Sequence, residues 1–124
     1  NIVRFIGEVP HKDLAVYYHL ADVLVLLTHP YQGMEEGLGL VFLEAAASGL
    51  PVVAGRSGGV EEAVIHNKTG FVVDVAQSPQ EIIEAIATIL ENPADAAQLA
   101  QEAKQRIEKE FIWSEQLKHI APWL

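Results

Sequence analysis

VLVLL (residues 23–27), LGLVFLEAAASG (residues 38–49) and PVVAG (residues 51–55) decide the fold when read together. The first and third runs are apolar throughout, as expected of parallel strands covered on both faces. The run between them is long enough for a helix, and Gly49 stands where helix C-termini prefer glycine. Strand, helix and strand in that order define a βαβ unit with a right-handed crossover. Downstream the alternation repeats: GVEEAVIH reads as a short helix and GFVVD (residues 70–74) as another strand. From Ser78 the pattern turns helical. Ser78 supplies an N-cap, Pro79 a first-turn proline, and Ile82, Ile83, Ile86, Ile89 and Leu90 an apolar face. Asn92-Pro93 breaks this helix. A second carries Ala96, Leu99, Ala100, Ala103 and Ile107, and a last one runs from Trp113 to about Ile120. Upstream, IVRFI (residues 2–6) reads as a strand ending at Gly7. The helix after it bears Leu14, Tyr17, Tyr18 and Leu20 on one stripe. The expectation is an α/β fold with a parallel, Rossmann-like sheet of about four strands and flanking helices. Four strands make a thin sheet for an independent doubly wound domain.

The 124 residues amount to one domain at most, and half of them are hydrophobic, enough for a real core. Lys and Arg total 8 against 17 Asp and Glu, a formal charge of −9. That balance argues against a protein built to grip nucleic-acid phosphates. It leaves room for one small anion, which helix N-terminal N–H groups bind without net positive charge. The lack of cysteine excludes disulfides and thiol chemistry. Neither a signal-peptide pattern nor an apolar run of the ~18 residues needed for a membrane span is present, so a cytoplasmic location is expected. The five histidines have no close pairing with one another or with a carboxylate cluster, so no metal site is expected. Gly55, Gly58 and Gly59 do not match a dinucleotide fingerprint and read as a turn feeding a helix. Trp113 and Trp123 read as anchors of the C-terminal helix on the core, or, where exposed, as marks of an interdomain surface.

The chemistry concentrates where the strand at 23–27 hands over to the next helix, the place where ligands collect in open α/β sheets. Gly37 and Gly39 let a ligand approach the backbone, and a helix starting near Gly39 offers unpaired N–H groups and a positive dipole end. A diphosphate fits there. Glu36 stands just before the helix and Glu44 in its second turn, among residues that otherwise read as core. Two carboxylates so placed suit hydroxyls at the two ends of a sugar nucleotide. Charge spacing alone favours a plainer account, in which Glu36 serves the helix dipole and Glu44 is solvated or paired with a neighbour.

The wider context decides between them. EGLGLVFLEAAASGLPVVAGRSGGVEEAV resembles the signature region of retaining GT-B glycosyltransferases of the large family 4 branch. The matching pieces are Glu36 and Glu44, residues 37–39, Ala45, Ala46 and Ala47, Gly49-Leu50-Pro51-Val52, and Gly58-Gly59-Val60-Glu61-Glu62. Residues 3–9, Ala21-Asp22-Val23, residues 69–73 and the Phe111/Trp113 pair resemble further family motifs, so the likeness covers nearly the whole chain. The resemblance implies that Glu36, the candidate catalytic residue, hydrogen-bonds the transferred sugar. Gly37, Leu38, Gly39, Leu40 and Val41 would present backbone to sugar and diphosphate, Glu44 would bind the ribose, and Val9 would lie near the base. The donor would be a nucleotide-sugar used as substrate, with no metal or other cofactor. Two departures stand out: Leu38 replaces a frequent aromatic, and HPYQGME makes a longer loop before Glu36. That loop resembles the mannosyltransferase-like subset and favours GDP-mannose over a UDP-sugar. It leaves open whether Glu35 or Glu36 reaches the sugar.

By the same resemblance, residues 1–124 form the distal part of a C-terminal donor-binding domain. The strands and Arg/Lys pair that would come earlier, and an N-terminal acceptor domain, are expected to belong to a longer enzyme. Arg4 and Arg56 do not make such a pair. The isolated chain is expected to be catalytically inactive. The alternative is a non-catalytic interaction module of the same fold that self-associates through an exposed sheet edge.

Overall fold

A computed structural model describes residues 2–120. The sheet holds three parallel strands, β1 (Leu24–Leu26), β2 (Val52–Gly55) and β3 (Phe71–Val73), in the order β1-β2-β3. Val53 lies opposite Val25 on one side and Phe71 on the other. Helices α1 (Leu14–Leu20), α2 (Leu40–Ala47), α3 (Val60–Ala63), α4 (Pro79–Glu91), α5 (Pro93–Glu110) and α6 (Trp113–Ile120) surround it.

Strand periodicity divides the core between the two faces. Val52, Ala54 and Val72 pack with Phe42 and Ala45 of α2 and Val60 and Ala63 of α3. Val53 and Val73 pack on the other face with Ala85 and Ile89 of α4 and Ala96 of α5. Every residue of β2 is buried, which explains its uninterrupted apolar sequence.

Gly49 ends α2 as its position suggests, with φ of 74°. Its N–H donates to Ala46 O, and that of Leu50 to Ala45 O, both at 3.0 Å. These two bonds form a Schellman motif that turns the chain into β2.

Three expectations need correction. Residues 2–6 do not form a strand, so the sheet has three strands instead of four. No described strand edge pairs with them, and Phe5 is 95% exposed. A β-branched apolar run becomes a strand only where a ladder satisfies its backbone. Ser78 occupies the N-cap of α4 and Pro79 its first turn, but the serine side chain makes no capping bond. Instead its N–H donates to Asp74 O at 3.0 Å, while Asp74 Oδ1 accepts from the N–H groups of Ala76 and Gln77. Trp113 is 81% exposed, so it is not buried as an anchor on the core. Trp123 lies outside the described residues.

Candidate functional site

Residues 29–36 carry the chain from β1 towards α2. Tyr31 and Met34 exchange backbone hydrogen bonds of 3.0 and 2.9 Å around Gln32 and Gly33, both at positive φ. The longer loop is therefore a closed two-residue turn of the primed type. Beyond it, Gly39 adopts the left-handed conformation (φ 71°) and opens α2. A side chain at Gly39 would strike the Phe42 ring at 2.5 Å. The half-buried Leu38 and Val41 pack on the core, whereas Leu40 is 66% exposed. Of the leading N–H groups of α2, that of Phe42 donates to Gly39 O at 2.9 Å, while those of Leu40 and Val41 have no described backbone partner.

A second glycine pair holds this loop in place. A Cβ on Gly58 would sit 2.0 Å from Glu36 O, and one on Gly59 would sit 2.0 Å from Gly37 O. The Gly59 N–H donates to Glu36 O at 3.1 Å, and the Glu36 N–H donates to the buried Ser57 Oγ at 3.2 Å. The turn before α3 and the loop before α2 thus lie backbone against backbone. In the sequence the Gly-Gly turn is a family motif and an entry to its own helix. The local pattern contained no sign that the loop packs on it.

Of the two carboxylates, Glu36 is half-buried and its Oε1 accepts from the Gly37 N–H at 3.2 Å. Glu44 is half-buried in α2, and its Oε2 accepts from the Tyr18 phenol at 2.8 Å. Its partner is therefore a neutral hydroxyl 26 residues away, neither bulk solvent alone nor a basic side chain. Burial, the bond to Glu44 and the negative charge of that carboxylate together push the Tyr18 phenol up to about 12. The hydroxyl remains a donor at neutral pH. Tyr18 read as one residue of an apolar helical stripe, and nothing in its spacing indicated a link to Glu44.

Glu35 is exposed. With His29, Arg56, Ser57 and Asp74 it lines a cleft of about 400 Å³ outside the carboxyl ends of the three strands. Arg56 is ion-paired with Glu61 across this cleft wall. Val9 is half-buried in irregular chain ahead of α1, and no described hydrogen bond joins it to Glu36 or Glu44. The expectation for Val9 rested on the end of a strand that does not form.

A glycine-opened helix flanked by two carboxylates, at the carboxyl end of a parallel sheet, defines an open α/β domain of the ligand-binding, Rossmann-like class. The chain belongs to the family described as glycosyl transferases group 1, whose model matches residues 1–106. It is 38% identical over 124 residues to the GDP-mannose-dependent alpha-(1-6)-phosphatidylinositol monomannoside mannosyltransferase of Mycobacterium tuberculosis. That match covers 98% of this chain and 32% of the relative, so the chain spans about a third of the protein it resembles. Among solved structures, sucrose-phosphate synthase from Thermosynechococcus elongatus superposes with a TM-score of 0.80 at 35% identity, covering 98% of this chain and 30% of that one. Anabaena HepE in complex with UDP and glucose superposes with a TM-score of 0.83 at 28% identity, covering 100% and 33%. The α/β fold expected from the strand and helix runs and the family expected from the wider resemblance therefore both hold, with one strand fewer than expected.

Proposed function

We propose that this domain holds the donor of a glycosyltransferase that moves a hexose from a nucleoside diphosphate to an acceptor with retention of anomeric configuration. The observation that carries the reading is the start of α2, where the exposed backbone of Gly37 and the left-handed turn at the buried Gly39 lie between two carboxylates. In this reading Glu36 hydrogen-bonds the hexose hydroxyls, and residues 37–41 present backbone to the sugar and diphosphate. Glu44 takes the ribose, and Val9 lies towards the base. Negative charge that builds on the departing diphosphate is stabilised by the N–H groups and dipole of α2. The acceptor and the cations that complete the diphosphate site are assigned to the rest of a longer enzyme. The mannosyltransferase relative supports GDP-mannose as donor, and the UDP complex of HepE keeps a UDP-sugar in view.

Calorimetric titration of the intact protein with GDP-mannose and UDP-glucose, beside a test of transfer, examines this reading. Glu36→Gln should reduce transfer at least tenfold, as loss of a charge-assisted hydrogen bond worth about 1.5–3 kcal/mol requires. It should leave GDP or UDP binding nearly unchanged. Binding of neither nucleotide-sugar would dispose of the reading.

A second reading, self-association, is favoured by one observation. β1 is an edge strand with no partner on its outer side among the described residues. Unpaired edges recruit other strands. A clean monomer in sedimentation at high concentration would count against it.

A further inference from the structure

We infer that Tyr18 is a positioning residue for the donor's ribose: its phenol holds one oxygen of Glu44 so that the other is presented to the ribose hydroxyls. The inference rests on the reading that Glu44 binds ribose, and it adds a residue that the reading does not contain.

Tyr18 is fixed at both ends. Its ring packs on the core cluster formed by Phe42, Val52 and their neighbours, and its hydroxyl reaches Glu44 Oε2 at 2.8 Å. A donor whose ring is locked by packing sets the orientation of whatever it binds. A glutamate on a helix otherwise samples several rotamers, and its terminal torsion is broad. The Tyr18 bond selects one arrangement of that carboxylate in advance of any ligand.

The other oxygen is open. Among the described residues Glu44 Oε1 accepts no hydrogen bond, yet no buried side-chain oxygen or nitrogen lacks a partner. Oε1 of this half-buried residue therefore faces solvent. A carboxylate is an acceptor only, and a vicinal diol supplies two O–H donors, so the free oxygen matches a ribose hydroxyl in kind. The phenol stays neutral across the range in which enzymes are assayed, so it keeps donating to Glu44 whether or not a ligand is present. Preorganisation of this sort lowers the ordering cost of binding without adding a contact.

A purely structural role would be to bolt α1 to α2, and ligand selectivity separates the two. The intact protein, Tyr18→Phe and Glu44→Gln are each titrated with GDP and UDP and with the 2′,3′-dideoxy forms of both. The quantity read is the preference for ribose, the Kd of the dideoxy form divided by that of the parent. Glu44→Gln should abolish most of the preference. Tyr18→Phe keeps the ring and should cut the preference about three- to tenfold, the range of one net hydrogen bond, with dideoxy affinity unchanged. An undiminished preference in Tyr18→Phe, equal weakening of both ligand forms, or tighter ribose binding would each overturn the inference. If Glu44→Gln also leaves the preference intact, the ribose reading of Glu44 falls with it. A loss in Glu44→Gln alone removes only the role of Tyr18.

Discussion

Tyr18 has an ordinary phenol pKa near 10 when unfolded and about 12 when folded. Its folded value is raised, so the native state holds the proton more tightly. The associated stability is fully present below about pH 10 and is lost as pH rises through about 12. The wild-type protein should therefore lose stability between these values faster than Tyr18→Phe, which has no phenol to ionise. Denaturant unfolding at several pH values measures the difference. At neutral pH the same substitution should cost about 1 kcal/mol, the net worth of one partly exposed hydrogen bond. Parallel unfolding profiles above pH 10 would show that the Tyr18–Glu44 bond contributes nothing. None of this was available from spacing, because the two residues meet only after α1 and α2 have packed. The flanking carboxylates and glycines, by contrast, were visible because they lie within one loop and the first two turns of one helix.

The elements show the same division. β2 could be read from sequence because a strand covered on both faces needs an unbroken apolar run, and α2 because its C-terminal glycine is required by backbone conformation. β1 has the same apolar composition although Val25 at its centre is exposed, so the run marked the strand there but not its cover. Residues 2–6 have strand composition but no ladder, and composition does not report the presence of a neighbour. The junction of α3 was equally hidden. Arg106 of α5 donates to Ala63 O at 3.0 Å and to Glu62 O at 2.7 Å, satisfying carbonyls at the C-terminal end of α3. It also lies over the Phe111 ring and pairs with Glu110. Arg106→Ala should destabilise the domain by about 2 kcal/mol, since it removes a partly buried charged donor from two carbonyls. Thermal unfolding reads the loss, and Arg106→Lys should recover only part of it because an ammonium lacks the planar fork. The other end of α3 bears on function. Gly59→Ala places a methyl 2.0 Å from Gly37 O, so the loop before α2 must move. We expect donor affinity to fall at least tenfold in that variant while melting falls only modestly; unaltered donor binding would show that the loop tolerates displacement.

For the whole chain, the question is how much of a donor site three strands and one helix start can supply. A helix N-terminus stabilises an anion by up to about 2 kcal/mol, and each net hydrogen bond adds about 1. Against these stands the cost of association, several kcal/mol or more for lost translation and rotation. Arg56, the basic residue that follows β2, is engaged by Glu61, and the formal charge of −9 repels a diphosphate at long range. The 124 residues expressed alone should therefore bind GDP-mannose or UDP-glucose at about millimolar affinity or weaker. They should also transfer no hexose to any acceptor or to water. Ligand-observed NMR reads the first expectation and release of free GDP or UDP the second. Micromolar binding would mean that the α2 start and its two carboxylates form a sufficient site. Sustained release of nucleoside diphosphate would mean that the helix dipole alone stabilises the departing charge. If both stay silent while the intact protein binds and turns over, then the Glu36–Glu44 element is half of a shared site. Its glycines and carboxylates would then shape a diphosphate pocket whose cations come from elsewhere in the enzyme.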